Sequence, residues 1–209
     1  MQTSLRLALF ATAALVGANA AATSLVVQLT DGAGKPLADV VVSADPEAGA
    51  AIPKYLRPAE IAQKGLKFLP TVSVIQTGSR IAFPNNDKVK HHIYSFSPAK
   101  KFDQKLYSGV AASPQVFDKA GLVVLGCNIH DRMVAYVKVV DSPWFAKTDS
   151  AGVARIELPA GKYVVSAWHY NMSGAPATQA LAASEAPAAL NIKLPMKPPV
   201  AESGAGMDY

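Results

Sequence analysis

The chain has 209 residues and a formal net charge of +5 at neutral pH, and its composition is half hydrophobic, with few aromatic residues and a single cysteine. The positive charge is too small and too dispersed to indicate a nucleic-acid-binding protein. No segment after the N-terminal region supplies the roughly 20 uncharged apolar residues that a transmembrane helix needs, so no membrane anchor is expected there.

Residues 1–20 have the pattern of a secretory signal peptide. Arg6 supplies a positive charge, Leu7 to Val16 form an apolar stretch too short to cross a bilayer, and Ala18-Asn19-Ala20 is a small-residue cleavage site. Cleavage would remove Arg6, lower the formal charge from +5 to +4 and leave about 190 residues, enough for one large or two small domains. We therefore expect a periplasmic or secreted protein.

From residue 24 onward the hydrophobic periodicity is mostly two, which is typical of short strands between turns. The predicted strands are Ser24 to Leu29, Val40 to Ser43, Val72 to Gln76, Ile81 to Phe83, His92 to Phe96, Gly121 to Leu125, Val134 to Val140, Val153 to Leu158 and Tyr163 to Trp168. Pro58 to Lys64 fits one or two helical turns, Pro176 to Ala189 has no assignable pattern, and residues 196–209 have the composition of a disordered tail. The expected fold class is all-β, arranged as a sandwich.

Two separated segments resemble the two ends of one small β-sandwich. Residues 24–43 are similar to the first hairpin of the transthyretin-like or carboxypeptidase-regulatory-like module, and residues 145–170 are similar to its closing part, with T-D-x-x-G and L-P-x-G-x-Y. A loop tip whose ends lie close together tolerates a domain insertion. We therefore expect residues 21–53 and 142–195 to form one transthyretin-like, immunoglobulin-like sandwich that residues 54–141 interrupt. A single irregular sandwich with extra strands is the alternative.

The only cysteine, Cys127, begins the motif C-x-x-H-x-x-M with His130 and Met133. In an exported chain an unpaired cysteine indicates an intermolecular disulfide, a free thiol or a metal ligand. A thiolate, an imidazole and a weakly bound thioether are three of the four ligands of a blue copper site. Zinc more often recruits several thiolates or carboxylates, and the haem attachment sequence C-x-x-C-H is absent from the chain. The competing interpretation is a buried cysteine that acts as a small apolar side chain.

The segment around this motif resembles the cupredoxins. A strand leads into Phe83-Pro84-Asn85-Asn86, and His91 follows six residues after the first Asn, as in that family. Residues 117–133 are similar to the cupredoxin C-terminal strand, loop and strand, and the short spacing from His130 to Met133 resembles amicyanin more than plastocyanin. The whole chain is most similar to exported plastocyanin-like proteins labelled methylamine utilization proteins. The resemblance implies a Greek-key cupredoxin sandwich that binds one copper ion through His91, Cys127, His130 and Met133.

Two adjacent histidines leave a choice of ligand. Neighbouring side chains of a strand point to opposite faces, so only one of His91 and His92 can reach the metal. Alignment on Asn85-Asn86 implies His91, while His92 then occupies a position where cupredoxins usually carry an Asn that braces the ligand loop. His169 has no partner ligands at a suitable spacing, and we expect it to be structural.

Basic residues cluster in sequence around the predicted site: Lys88, Lys90, Lys100, Lys101, Lys105 and Arg132. They either steer a redox partner with an acidic face, such as a cytochrome or a dehydrogenase, or form a solvated loop surface. The resemblance implies a carrier of single electrons and not an enzyme, since four protein ligands leave copper no open position for a substrate. Copper storage or delivery without redox turnover and a structural binding module stabilised by copper are the alternatives.

Overall fold

The structure, a computed structural model, describes residues 22–109 and 113–198. The predicted signal peptide and residues 199–209 of the predicted tail lie outside the described residues. Within those two ranges every regular element is a strand, and no helix there is long and apolar enough to cross a membrane. The predicted all-β class is confirmed.

Seventeen strands make up this part of the chain. They are β1 (Ala22–Asp31), β2 (Val41–Pro46), β3 (Ala59–Glu60), β4 (Ala62–Gln63), β5 (Phe68–Leu69), β6 (Val72–Gln76), β7 (Ser79–Ala82), β8 (His91–Ser97), β9 (Lys100–Tyr107), β10 (Gln115–Phe117), β11 (Gly121–Cys127), β12 (Val134–Val140), β13 (Phe145–Lys147), β14 (Val153–Pro159), β15 (Gly161–Trp168), β16 (Ala177–Ala183) and β17 (Ala188–Leu194).

Each strand predicted from the sequence has a counterpart among these elements. The helical turns expected from Pro58 to Lys64 are wrong, because β3 and β4 are extended there and pair with β7 and β5. Six further strands had no sequence-based prediction: β5, β9, β10, β13, β16 and β17. At the start of the predicted tail, Met196 bridges Met172 and the amide of Lys197 donates to the carbonyl of Asn171.

The first sandwich, which we call the host sandwich, takes its strands from both ends of the chain. Its two sheets have the orders β14-β1-β17 and β13-β2-β15-β16. Alternate residues of the central strands face inward, as Leu25, Val27 and Leu29 do on β1, and the two sheets bury one shared apolar core.

The second sandwich, which we call the insert sandwich, is built from the strands between β2 and β13. A five-stranded sheet with the order β6-β12-β11-β8-β9 faces a three-stranded sheet with the order β10-β7-β3, and an apolar core of its own fills the space between them. Val123, Leu125 and Cys127 are the inward residues of β11, so the cysteine ends a row of core side chains.

The outer face of the five-stranded sheet packs against the host sandwich. Val72 belongs to the host core, and Leu122 and Tyr136 pack against it. The Tyr136 ring stacks on Tyr170 with a centroid separation of 4.9 Å, and the Lys147 ammonium donates to the carbonyl of Val72 at 2.8 Å. The two sandwiches therefore share a packed junction and are not joined by their connecting segments alone.

One buried side chain holds both connections between the sandwiches. Gln76 is 2% exposed, and its Nε2 donates to the carbonyls of Pro53, at 2.7 Å, and Asp141, at 2.9 Å. Its Oε1 accepts a bond from the amide of Tyr55 at 2.8 Å. Because Pro53 lies on the chain entering the insert sandwich and Asp141 on the chain leaving it, a single amide group fixes the spacing of the two crossings.

We expect Gln76→Ala to lower the free energy of unfolding by about 3 kcal/mol, since it leaves buried backbone polar groups without a partner. Chemical denaturation measures the loss. The matched control is Gln179→Ala, an exposed glutamine on β16, which should stay within about 0.5 kcal/mol of the parent protein. Equal stability of the two variants would contradict the role given to Gln76.

Candidate metal centre

Cys127 lies at the end of β11, where the strand meets a short loop. It is 3% exposed and its side chain points into the insert core. Its neighbour Gly126 faces the opposite side of the sheet, where a Cβ would lie 2.7 Å from the ring of Tyr94. Gly126 therefore allows the Tyr94 ring to pack directly over the strand beside the cysteine.

The register of β8 against β11 decides which histidine reaches the cysteine. Cys127 pairs with Ile93, so His91, two residues earlier on β8, shares its inward face. His91 is fully buried, and its Nδ1 lies 3.7 Å from Cys127 Sγ. His92 faces outward and its Nε2 contacts the carboxylate of Asp103 on β9.

The loop after Cys127 returns His130 to the same sulfur. His130 Nδ1 lies 3.6 Å from Cys127 Sγ, and the ring is partly exposed. Backbone bonds hold the loop in place: Met133 N donates to the carbonyl of His130, Cys127 N to that of Met133, and Asn128 N to that of His92. The spacing C-x-x-H thus becomes a tight turn that presents the imidazole to the thiol.

The three donor atoms converge as a metal ion requires. His91, Cys127 and His130 each contribute one ligand atom, and these atoms all lie within 4.8 Å of one another. Bonds of about 2.3 Å to sulfur and about 2.0 Å to nitrogen, with an angle of about 110–120° between them, would separate sulfur and nitrogen by about 3.5–3.7 Å. The observed separations of 3.7 and 3.6 Å match that value, so this cluster can hold a metal ion.

Asp87 sets the tautomer of His91. Its Oδ2 lies 2.9 Å from His91 Nε2, and a carboxylate only accepts hydrogen bonds when ionised. The ring proton therefore lies on Nε2, which leaves the lone pair of Nδ1 directed at Cys127. A carboxylate behind a histidine ligand also fixes the ring orientation and raises its basicity.

Hydrogen bonds from backbone amides fix the position of the Asp87 carboxylate. Its carboxylate accepts bonds from the amides of Gly65, at 2.6 Å, and Leu66, at 3.1 Å. Desolvation opposes its ionisation, but the hydrogen bond from His91 and the two backbone amides outweigh that effect and lower the pKa of Asp87. The ionised form that accepts the His91 proton is thereby favoured.

Asn85 braces the segment that carries Asp87. Its side-chain amide donates to the carbonyls of Val89, at 2.8 Å, and Tyr107, at 2.9 Å, and its Oδ1 accepts from the amide of Asp87 at 3.0 Å. In the sequence, Asn85 served only to align the following histidine, and Asp87 was not predicted as a site residue. The signal for Asp87 was present in its position, four residues before His91 and directly after the Asn pair.

Met133 lies in the same core as Cys127, whereas His169 lies in another part of the structure. Met133 is 1% exposed and shares the insert core with Cys127, and its backbone closes the loop described above. His169 lies away from this cluster, and its Nδ1 accepts a bond from the amide of Asn171 at 3.0 Å. Desolvation lowers the pKa of His169, and the charge of Asp39 opposes that shift. In the part of the chain that the structure describes, His169 belongs to no group of three or more histidine, cysteine or carboxylate side chains that could hold a metal ion.

The basic residues around the site fall into two groups. Lys100, Lys101 and Lys105 lie on β9, the edge strand of the five-stranded sheet, where lysines protect an unpaired edge from pairing with another chain. Lys88, Lys90 and Arg132 lie in the two loops that carry His91 and His130, and all three are exposed. The second group therefore lies on the loops that carry the candidate metal ligands.

Neither a family model nor a curated protein matches the chain. Among solved structures, part of the chain is similar to a purple cupredoxin from Nitrosopumilus maritimus, with 22% identity, a TM-score of 0.35, and coverage of 39% of this chain and 99% of that one. Amicyanin from Paracoccus versutus matches with 17% identity, a TM-score of 0.36, and coverage of 50% and 100%. A copper-containing nitrite reductase from Thermus scotoductus matches with 23% identity, a TM-score of 0.38, and coverage of 56% of this chain and 28% of the reductase.

We expect Asp87→Ala to weaken metal affinity by about 10–100-fold, because His91 loses the group that fixes its tautomer. Competition with a chelator, followed by direct metal quantification, measures the change. Asp87→Asn, whose Oδ1 can still accept the Nε2 proton, should lose less. Asp118→Ala, which removes an exposed carboxylate of the same sandwich, serves as the control. Affinity unchanged in Asp87→Ala would show that this carboxylate does not support the site.

Proposed function

We propose that the protein is a type 1 copper protein that carries single electrons between redox partners in the periplasm or outside the cell. The observation that carries this proposal is the convergence of two imidazole Nδ1 atoms on one buried thiol, within the distances quoted above. One thiolate and two imidazoles are the in-plane ligands of such a site. The copper ion would then be held by His91, Cys127, His130 and Met133.

A bound copper ion would supply a one-electron couple between Cu(I) and Cu(II). The protein's part is to hold the ligands still, so that little need move when an electron arrives or leaves. His91 is held by Asp87 and buried, whereas His130 is partly exposed. The exposed edge of His130 is therefore the proposed point of electron entry and exit.

The surface around His130 fits a docking partner. Val89 and Ile129 are 47% and 48% exposed, on the loops that carry the two histidines. Lys88, Lys90 and Arg132 surround them with positive charge. Apolar contact allows close approach, and the basic rim would steer a partner with an acidic face, such as a cytochrome or a dehydrogenase.

We also propose that residues 54–141 are a copper domain inserted into a host domain formed by residues 21–53 and 142–195. The separate apolar cores of the two sandwiches support this division. Gln76, which holds both crossings, supports it as well.

Titration of the purified protein with Cu(II) tests the proposed site. An intense visible absorption band from thiolate-to-copper charge transfer is expected, and Cys127→Ser and His91→Gln should abolish it. His92→Gln is the matched control and should retain the band, since His92 faces away from the thiol. A colourless protein at full copper occupancy would rule out a blue site.

Redox cycling separates an electron carrier from a copper store. A carrier should be reduced and reoxidised repeatedly by a small mediator while the copper content stays constant, because the donors need not rearrange. Loss of the metal on reduction would instead indicate storage or delivery.

The steering role of the loop lysines is tested with hexacyanoferrate(III), an anionic oxidant. Lys88→Glu combined with Lys90→Glu should slow oxidation of the reduced protein by about tenfold at low salt, and the difference should shrink as salt rises. Lys35→Glu combined with Lys193→Glu makes the same charge change on exposed lysines of the host sandwich and should have a small effect. Equal rates in both double variants would remove the steering role.

A further inference from the structure

A cleft of about 420 Å³ lies at the junction of the two sandwiches. One wall comes from β2 and β15 of the host sandwich, and the other comes from β12 and the start of β11 of the insert sandwich. The candidate metal centre lies elsewhere, since neither its histidines nor its cysteine lines this cleft. The proposed electron transfer therefore leaves the cleft without a role.

Three charged side chains face this cleft: Asp45, Lys138 and Asp141. Asp45 and Lys138 are half-buried, yet no nitrogen–oxygen distance of 4.0 Å or less joins Lys138 to either carboxylate in the described residues. The Lys138 ammonium instead lies 5.8 Å from the centre of the Trp168 ring. Opposite charges are thus held near one another without forming a direct pair.

The carboxylates have few partners within the protein. Asp45 Oδ2 accepts a long bond of 3.4 Å from Ser43 Oγ, and Asp141 Oδ1 accepts one of 2.6 Å from Thr77 Oγ1. In the described residues, most hydrogen-bond acceptor sites of these two carboxylates receive no bond from a protein donor. The negative charge of Asp141 is close enough to Asp45 to raise the pKa of the Asp45 carboxyl.

Burial makes the charges of Asp45 and Lys138 costly in the free protein. Desolvation raises the pKa of Asp45, the bond from Ser43 lowers it, and the negative charge of Asp141 raises it further. Desolvation also lowers the pKa of Lys138, and the charge of Asp45 opposes that shift. Half-buried ionic groups of this kind are usually paired in folded proteins. A ligand that carries both signs of charge would pair with them and offset the free energy of desolvation.

From this geometry we infer that the cleft binds a small zwitterion with a primary ammonium at one end and a carboxylate at the other, such as a short aminoalkanoate. The ammonium lies between Asp45 and Asp141, and the carboxylate accepts from Lys138. The Trp168 ring, which lies 5.8 Å from the Lys138 ammonium, provides apolar surface for the intervening carbon chain.

Calorimetric titration with glycine, β-alanine and γ-aminobutyrate tests the inference. At least one of them should bind about tenfold or more tightly than butylamine or butyrate, each of which carries only one of the two charges. Lys138→Met keeps an unbranched apolar stem beside Trp168 but removes the ammonium, and Asp45→Asn keeps the shape but removes the carboxylate charge. Each variant should weaken binding by about tenfold or more.

Lys193→Met, on the exposed side of β17, is the matched control and should bind like the parent protein. The copper absorption band and the thermal unfolding temperature, both measured without added zwitterion, report whether each variant is folded. The inference is overturned if none of the three zwitterions binds to the folded parent protein. It is also overturned if butylamine binds as tightly as the best zwitterion and Lys138→Met, still folded, leaves that affinity unchanged.

Discussion

The contact on which the site depends is the approach of two imidazole nitrogens to the buried sulfur of Cys127. It exists only in one register of β8 against β11, the one that pairs Cys127 with Ile93. A slip by one residue would turn His91 outward and bring His92 to the core face, because side chains alternate along a strand. The insert sandwich must therefore be paired and closed before its three donors meet.

The two histidines of the site have unequal surroundings. Asp87 accepts the Nε2 proton of His91 and is itself held by backbone amides, so the buried side of the cluster is rigid. His130 lies on a short loop and reaches solvent. The fixed position of His91 and the solvent access of His130 suit the proposed electron transfer, because electrons can pass at the exposed histidine while the ligands stay in place.

The host sandwich restricts where the proposed redox partner can approach. It covers part of the outer face of the five-stranded sheet through Val72, Leu122 and Tyr136, whereas the loops around His130 remain open. Gln76 ties the two crossings together. The charged cleft lies in the junction itself, so the proposed zwitterion and the proposed redox partner would occupy separate surfaces.

The sequence by itself determined the features that depend on near neighbours. Alternation predicted the central strands, and the spacing of Cys127, His130 and Met133 required one loop to carry a thiol, an imidazole and a thioether. Prediction failed where local pattern is weak or overridden: β16 is rich in alanine, β9 is an exposed edge, and strand pairing prevails over the turns expected near Pro58. Only the tertiary structure decided that His91 rather than His92 meets the thiol, that Asp87 orients it, and that Asp45 and Lys138 face one cleft. The physical reason is that these contacts join residues on different strands, whose distances are set by sheet register and by packing between sheets and not by spacing along the chain.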